Sequence, residues 1–487
     1  VTSGIQNTLI GGLAGDALTV GSYNVALGTT ALGGDTKGSK STAIGYSALV
    51  NQNFTSATDA YNTAVGYEAG QAVTTGVRNT FVGGLAGDAV TTGNDNTAVG
   101  YDAASATTTG TMNTVVGTYA LDANTTGSYN TAIGRAALSS NTTAGSNTAV
   151  GYAAGEAITT GVYNTIVGSL AGDAITIGYE NDAFGYLALS TNTEGRHAVA
   201  IGTQALQNQN PSSASSTYNT AVGYNAGGSV TTGVNNTLIG ALSGDAITTG
   251  VQNTLLGRSA GSAMTTANNN TVVGYAAGSS ITTGVENVAI GAYAGDAITD
   301  ASNNTSVGFS AGTAITTGVS NVFLGKDAGD STTTGSKNIC LGQNTNNSDA
   351  TGSHAIVIGH DISGSGNDFS FGKASNIVSN TFDADANWSR SSDERLKKNI
   401  TNQTLGLSFI NDLRTVKYNW KASHELDSSD SQLAHLYRED PADNEMNTTV
   451  TMHNFIAQEV KEALDTAGVS DFGGWKEDQY GVQQVSR

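Results

Sequence analysis

The chain has 487 residues, of which 63 are glycine, 2 are proline and only 12% are charged. Globular proteins average roughly 7% glycine and about 25% charged residues, so this chain is rich in glycine and poor in charge. Forty acidic against 20 basic residues give a formal charge of −20, which excludes the basic surface that nucleic-acid binding requires. No run of 18 or more apolar residues occurs, so we expect no membrane insertion.

Sequence patterns that bind metals or cofactors do not occur. The single cysteine excludes an internal disulfide, and neither C-x-x-C nor H-E-x-x-H is found. We therefore expect no metal and no cofactor, and we interpret Cys340 as a small buried apolar residue.

A 17-residue repeat dominates the sequence from residue 7 to residue 359. Its units align on a pentapeptide such as Asn62–Gly66, whose Asn we number position 1 of the unit. There are 21 units, with eighteen spacings of 17 residues and two of 21. The longer spacings are four-residue insertions, around Asn51 to Ala60 and Gln207 to Thr217, and we expect both to bulge outward.

Each unit carries the same pattern of small and apolar residues. Position 5 is Gly in all 21 units, position 4 is aliphatic in all but one (Phe184), and position 8 is Ala in most. Constant Gly indicates a positive φ or a close backbone approach, and the recurring Ala indicates a narrow interior. A second apolar stretch follows, such as Ala157–Thr159, so we predict two β-type segments of about five residues per unit.

This period predicts a mostly β protein, a parallel β-roll or β-solenoid of about 21 coils. Helical hairpin repeats need about 33 residues and propeller blades about 40, so both are excluded. Coils stacked about 4.8 Å apart would make a rod of roughly 100 Å. Since one aliphatic side chain per strand is a thin core for one chain, we expect three chains to share a core along the rod axis.

The pentapeptides Asn96–Gly100 and Asn130–Gly134 resemble the head repeat of trimeric autotransporter adhesins. In that family, units of this kind wind into a left-handed, trimeric parallel β-roll. The resemblance therefore implies a homotrimeric β-roll and says little about anchoring.

A rise in charge marks a second domain. Residues 1–391 contain 10 basic and 24 acidic residues, whereas the 96 residues from 392 to 487 contain 10 and 16. We expect a repeat shaft over residues 1–369, a connector over 370–391 and a small α+β domain over 392–487. Within that domain Thr415 to Trp420 predicts a strand, Phe455 to Asp465 a helix, and Ser423 to Thr448 a loop.

The stretch Ser392–Ile400, with Val416–Trp420 and Phe455–Val460, resembles the intramolecular chaperone of phage tailspikes and tail fibres. This is the endosialidase-type chaperone, peptidase family S74. In that family the domain trimerises, assists folding of the preceding β-fibre and then cuts itself off with a Ser–Lys dyad. The resemblance implies an autoprotease that acts on itself only, with no turnover of other substrates.

Carried onto this sequence, the resemblance makes Ser392 the nucleophile, Lys397 its base and Ser391–Ser392 the cleaved bond. A serine hydroxyl needs a base to remove its proton, and a lysine can do so when burial lowers its pKa. Residues five apart on a regular helix point about 140° away from one another, so the dyad requires a turn or loop. Asp393 and Arg395 would support that turn.

A purely structural role for the same segment stays open. Ser391 and Glu394 fit a capping box that opens a helix, which would leave Lys397 on a solvated helical face.

Two further sets of residues recur at fixed places in the repeat. Aspartates of the Ala-Gly-Asp-Ala tetrapeptide could bind Ca²⁺, but solvated turn residues are the favoured interpretation, because Ca²⁺ takes six to eight oxygen ligands. Tyrosines after the constant Gly could stack on sugars, although packing between coils or chains is favoured. The aspartates are Asp16, Asp88, Asp173, Asp245 and Asp296, and the tyrosines are Tyr46, Tyr67, Tyr101, Tyr152, Tyr186, Tyr224 and Tyr275.

The sequence thus favours a trimeric phage tail-fibre or tailspike shaft, extracellular and part of the virion. Its expected partners are other virion tail proteins and a host cell-surface glycan or protein receptor. The alternative is a cellular surface adhesin or extracellular filament that uses the same chaperone. A glycan depolymerase would need paired carboxylates on one face, and no such pair stands out.

Overall fold

The computed structural model describes residues 1–374, 376–381, 405–441, 448–449, 451–470, 472, 474–478 and 481–485. The chain divides into two compact units, Val1–His354 and Ala355–Arg487. The boundaries that the sequence suggests near residues 369 and 391 stay a prediction.

The first unit is a parallel β-solenoid, as predicted, with a three-residue strand at positions 2–4 of each coil and a second short strand in three coils (β3, β5 and β23 below). Its strands are β1 (Thr8–Ile10), β2 (Val25–Leu27), β3 (Gly38–Ser39), β4 (Thr42–Ile44), β5 (Thr58–Asp59), β6 (Thr63–Val65), β7 (Thr80–Val82), β8 (Thr97–Val99), β9 (Thr114–Val116), β10 (Thr131–Ile133), β11 (Thr148–Val150), β12 (Thr165–Val167), β13 (Asp182–Phe184), β14 (Val199–Ile201), β15 (Thr220–Val222), β16 (Thr237–Ile239), β17 (Thr254–Leu256), β18 (Thr271–Val273), β19 (Val288–Ile290), β20 (Thr305–Val307), β21 (Val322–Leu324), β22 (Ile339–Leu341) and β23 (Thr345–Asn347).

Successive coils pair in parallel and in register, unit position against unit position. Thr63 of β6 lies opposite Thr80 of β7, which lies opposite Thr97 of β8. The backbone N–H of Thr63 donates to the carbonyl of Asn79 in the next coil at 2.8 Å. The 17-residue period is therefore the length of one complete coil.

The second predicted β-type segment of each unit is wrong. Ala157–Thr159 and its equivalents form turns, although the N–H of Thr159 still donates to the carbonyl of Thr176 in the next coil at 3.0 Å. Left-handed φ angles at positions 7, 9 and 17 lie on both sides of this stretch and limit how far an extended backbone can run. In the unit of Asn147 these are Ala153, Gly155 and Tyr163, with φ of 52°, 59° and 59°.

The interior of the solenoid is filled by positions 3, 8, 9 and 12 of each unit. In β6 the middle residue Ala64 is fully buried, and Thr63 and Val65 on either side are not. Since alternate residues of a strand face opposite ways, the constant aliphatic residue at position 4 points away from this interior. One chain therefore buries an interior of its own, and the expectation that three chains share a core stays a prediction.

Positions 9 and 12 compensate for one another in size. Where position 9 is Gly, position 12 is a larger apolar residue in every unit but one (Gly329 with Thr332), as in Gly155 and Ile158. Where position 9 is Leu, position 12 is polar, as in Leu138 and Asn141. A Cβ at Gly155 would lie 3.0 Å from Cδ1 of Ile158, so the two large side chains compete for one space. The Leu-type pairs are Leu32–Asp35, Leu49–Gln52, Leu121–Asn124, Leu138–Asn141, Leu189–Asn192 and Leu206–Gln209.

The constant glycine at position 5 is required by both conformation and space. Its φ lies between 123° and 158° in all 21 units, a region that only glycine adopts readily. A Cβ at Gly151 would lie 2.4 Å from the carbonyl oxygen of Gly168 in the next coil. Any side chain here would force neighbouring coils apart.

A buried ladder of asparagines runs through position 1. The backbone N–H of Asn79 donates to Oδ1 of Asn62 at 2.9 Å, and its Nδ2 donates to the carbonyl of Gly93 at 2.9 Å. The same pair of bonds recurs at Asn96. Each Asn thus satisfies buried backbone groups in two coils, which fixes the register of the stack.

The first insertion exposes six of its ten residues, as predicted, whereas the second exposes only four of its eleven, and each sends one glutamine into the stack. Gln52 is buried and donates to Oδ2 of Asp35 at 2.6 Å, and it accepts from Nδ2 of Asn62 at 2.8 Å. In the second insertion Gln209 accepts from Nδ2 of Asn219 at 2.8 Å. The asparagine ladder is interrupted at both insertions, where position 1 is Ser41 and Ala198, and the buried glutamine there bonds the next asparagine instead.

The second unit begins with four strands and continues with a small α+β region. Strands β24 (Ile356–His360) and β26 (Asp368–Lys373) pair in parallel, and β27 (Asn376–Thr381) pairs antiparallel with β26. Its described elements are β24, β25 (Ile362–Gly364), β26, β27, α1 (Leu407–Asp412), β28 (Thr415–Tyr418), β29 (Met452–Phe455), α2 (Ala457–Thr466), β30 (Trp475–Glu477) and β31 (Gln483–Val485). The predicted strand near residue 415 and the predicted helix near residue 455 are both confirmed.

Candidate functional site

The predicted cleavage machinery lies outside the described residues. This holds for Ser391, Ser392, Asp393, Arg395 and Lys397, which all fall between residues 382 and 404. Their assignment as cleavage site, nucleophile, base and supporting groups stays a prediction.

The described part of the α+β region is organised around helix α2. Strand β28 pairs antiparallel with β29, and α2 follows β29 after a single residue. The helix buries Val460, Ala463 and Leu464 along one side, the spacing of an amphipathic helix. Nε1 of Trp475 donates to the carbonyl of Ala457 at 3.1 Å, which attaches β30 to the start of the helix.

One ion pair connects Arg414, the residue before β28, to helix α2. The Arg414 guanidinium donates to both carboxylate oxygens of Glu459, with Nε to Oε2 at 3.2 Å. This hydrogen bonding holds the pKa of Glu459 below its usual range. Both groups are largely in solvent, so the pair contributes little to stability.

The same region leaves large apolar side chains uncovered. Helix α1 exposes Leu407 and Ile410, and Trp420 is also exposed. Trp420 also lines a groove of 830 Å³, together with other aromatic and aliphatic residues that include Leu433 and Phe455. Apolar surface of this kind marks an interaction site rather than a solvated surface.

The solenoid has a second uncovered apolar surface, which we call the outward row and define as position 4 of every unit. Within the first unit of the structure none of its members is buried, and Leu256 and Leu324 are 45% and 50% exposed. Its members there are Ile10, Leu27, Ile44, Val65, Val82, Val99, Val116, Ile133, Val150, Val167, Phe184, Ile201, Val222, Ile239, Leu256, Val273, Ile290, Val307, Leu324 and Leu341. The sequence contains a signal for this apolar row, because position 4 is apolar in every unit while position 3 varies in size from Ala to Phe.

The tyrosines after the constant glycine also lie on the surface of the single chain. All seven are exposed, and Tyr46 stacks on Tyr67 with ring centroids 5.4 Å apart. Contact between neighbouring coils, part of the favoured interpretation, therefore occurs at Tyr46 and Tyr67, and stacking on sugars stays a prediction.

The repeated aspartates are not arranged as a calcium site within the described residues, where no group of three or more potential ligands comes together. Most are half-buried rather than solvated, and burial raises the pKa of Asp173, Asp245 and Asp296. Burial, with the nearby carboxylate of Asp102, raises the pKa of Asp88 to about 6. Cys340 is buried in β22, as predicted, and burial raises the pKa of its thiol to about 12.

Comparison with known proteins gives one match. Residues 392–469 match the family described as chaperone of endosialidase, peptidase S74. No curated protein matches the chain. Neither helix in the described part of the chain is long and apolar enough to cross a membrane. The chain therefore combines a parallel β-solenoid of 17-residue coils with a C-terminal region that matches the endosialidase-chaperone family.

Proposed function

We propose that this chain is the shaft of a trimeric phage tail fibre or tailspike, which attaches the virion to a host surface. The C-terminal domain would direct trimerisation and folding and then cleave itself off between Ser391 and Ser392. The shaft would remain extracellular, joined to other virion tail proteins. The family match over residues 392–469 and the fibre-like solenoid support this assignment.

The outward row is the observation that carries the trimeric part of the proposal. It presents an apolar residue on every coil of a surface otherwise rich in Thr and Gly. A row that repeats without interruption fits a partner with the same repeat, which is another copy of this chain in register. Covering a half-exposed Val or Leu would contribute about 1 kcal/mol, and the row has 20 members in the first unit.

A chaperone has a physical purpose in such a shaft. Parallel pairs between distant segments form slowly. Because the coils are nearly identical, a chain can also align with its neighbour in a register shifted by one coil. A domain that trimerises first would align the three chains before their coils stack. The exposed Leu407 and Ile410 of α1 fit a domain that assembles through apolar contacts.

The cleavage step follows from serine chemistry. Oγ of Ser392 attacks the carbonyl carbon of Ser391, and neutral Lys397 accepts the hydroxyl proton. The C–N bond breaks as the nitrogen of Ser392 takes up a proton, which leaves an ester between the two residues. Water then hydrolyses the ester, so that the products end in a carboxylate at Ser391 and begin with a free amine at Ser392.

The proposal is tested by following the chain on denaturing gels. Wild-type protein should give two bands, which mass spectrometry should assign to residues 1–391 and 392–487. Ser392→Ala and Lys397→Ala should each give one full-length band. Ser391→Ala and Lys398→Ala are the matched controls, because each removes a neighbouring group of the same chemistry, and both should still cleave.

Two results would contradict the dyad. Cleavage of Ser392→Ala at the same bond would exclude Ser392 as the nucleophile. Loss of cleavage in Lys398→Ala together with normal cleavage in Lys397→Ala would move the base to the neighbouring lysine.

A further inference from the structure

An exposed aromatic surface crosses five consecutive coils of the solenoid. We call it the aromatic stripe and define it as Arg258, Tyr275, Tyr293, Phe309 and Lys326. Its three rings are 45%, 37% and 50% exposed in chain order. Uninterrupted exposed aromatic surface is uncommon on a soluble protein and marks a place where something binds.

The rings of the stripe contact one another from coil to coil. Centroids of Tyr275 and Tyr293 lie 5.4 Å apart, and those of Tyr293 and Phe309 lie 6.1 Å apart, both edge to face. Tyr275 and Phe309 occupy position 6 of their units, and the same position in the coil between them is Ala292. These two rings lie about 10 Å apart at two coil spacings, and the ring of Tyr293 contacts both of them.

A cation lies at each end of the stripe. Nη1 of Arg258 donates to the hydroxyl of Tyr275 at 3.2 Å, and its guanidinium lies 5.7 Å from the ring centre. Nζ of Lys326 lies 6.0 Å from the centre of Phe309 and pairs with Asp327. These contacts hold the two outer rings in place and leave N–H donors of both cations near the ring faces.

The variability of position 6 argues against another copy of this chain as the occupant. Contact between in-register copies favours a uniform row, which position 4 provides with an apolar residue in every unit. Position 6 instead changes from Tyr or Phe to Gly, Ala, Thr, Ser, Arg, Lys and Gln along the stack. The stripe is thus a local feature of five coils, as expected of a binding site.

We propose that the aromatic stripe binds an extended polysaccharide with diequatorial linkages, of the β-1,4 type, across Tyr275 and Phe309. In such a chain every second sugar turns the same face to one side, which matches rings placed two coils apart. The apolar C–H face of a sugar stacks on a ring, and its hydroxyls accept hydrogen bonds from Arg258 and Lys326. This inference rests on the proposed attachment function and names the class of its ligand.

The test is electrophoresis of the full chain in native gels with and without hydroxyethyl cellulose, a soluble β-1,4-glucan. Wild-type protein should be retarded by the polymer. Tyr275→Ala combined with Phe309→Ala should bind about tenfold more weakly, because two stacking contacts are lost. Tyr275→Phe should retain binding, and Tyr163→Ala is the control, since this tyrosine is even more exposed (62%) but lies outside the stripe.

Three results would overturn the inference. Wild-type protein that is not retarded excludes this ligand class, and equal retardation of the double variant places the binding elsewhere. A double variant that no longer assembles shows that the stripe is a contact between chains. Trimer mass and self-cleavage, measured on the same samples, report on the proposed function separately, so the two failures are distinguishable.

Discussion

The interior of the solenoid and its outward row obey different rules, although they alternate along the same three-residue strands. The interior tolerates change: position 3 varies from Ala64 to Phe81, and positions 9 and 12 exchange bulk between Gly155–Ile158 and Leu138–Asn141. The outward row does not vary in kind, since it is apolar in every unit. Interior space can be filled locally within one or two coils, whereas a surface shared with another chain must match along the whole stack.

The largest expected effect comes from charging the outward row. Leu256→Asp combined with Leu324→Asp should abolish assembly, because two desolvated carboxylates in an apolar interface cost several kcal/mol. Circular dichroism should show that the solenoid itself persists, since neither residue is buried in the single chain. Size-exclusion chromatography makes the measurement.

The control for this pair is Val319→Asp. Val319 is exposed at position 16, away from the outward row, and its replacement should leave the elution volume unchanged. If the double variant elutes with the wild-type protein, the outward row is not the contact between chains.

The second-largest effect is expected at the position 5 glycine, where the backbones of neighbouring coils approach closely. Gly151→Val should destabilise the solenoid by about 3 kcal/mol or more, through left-handed strain and the clash with the carbonyl of Gly168. Thermal unfolding followed by circular dichroism should show a lower midpoint. Gly84→Ala is the control, because a Cβ there meets nothing closer than 3.6 Å, and it should unfold like the wild type.

A double-mutant cycle tests the size compensation between positions 9 and 12 of the interior. Gly155→Leu overfills its coil and should cost about 1–3 kcal/mol, and Ile158→Asn should cost about 2–5 kcal/mol through lost packing. Together they convert a Gly-type coil into the Leu-type found at Leu138 and Asn141. Their combined cost, measured by denaturant unfolding, should be less than the sum by about 0.5–3 kcal/mol. Strict additivity would show that positions 9 and 12 do not share space.

The smallest expected effect is a pH dependence of the stability of the solenoid, contributed by its half-buried aspartates. Burial raises the pKa of Asp88 to about 6, with Asp102 and Glu68 as nearby carboxylates. Since an unfolded Asp titrates near about 3.9, the contribution of Asp88 to stability is present below about pH 4 and lost as the pH rises through 6. Asp88→Asn should therefore raise the melting temperature at pH 7 more than at pH 4.

The control for the pH experiment is Asp16→Asn, at the same unit position but exposed. It should shift the melting temperature by a similar small amount at both pH values. A difference between pH 4 and pH 7 that survives in Asp88→Asn would assign the titration to another group.

Much of the solenoid could be predicted from the sequence because its constraints are local and repeated. The constant glycine at position 5, the asparagine ladder and the coil length all follow from one short pattern that recurs 21 times. The direction of position 4 could not be predicted, because a constant apolar residue fits burial within one chain and burial between chains equally well. Only the inward burial of residues such as Ala64 and Phe81 shows which side of the strand faces in.

One candidate site could likewise be predicted from the sequence, and the other could not. Ser392 and Lys397 follow from a motif that needs no fold, and their geometry lies outside the described residues. The aromatic stripe could not be predicted as a unit, because Tyr293 lies at position 7 and Tyr275 at position 6. Only stacking of the coils brings these two rings to 5.4 Å.

The most direct test of the central claim is the mass of the uncleaved particle in solution. Light scattering on Ser392→Ala should give three times the 49.2 kDa of one chain. In the self-cleaving wild-type background, where the C-terminal domain no longer joins the chains, Leu256→Asp with Leu324→Asp should reduce the released shaft from the mass of three chains to that of one. A mass of 49.2 kDa before the outward row is changed would contradict the account, because the shaft would then be complete as a single chain.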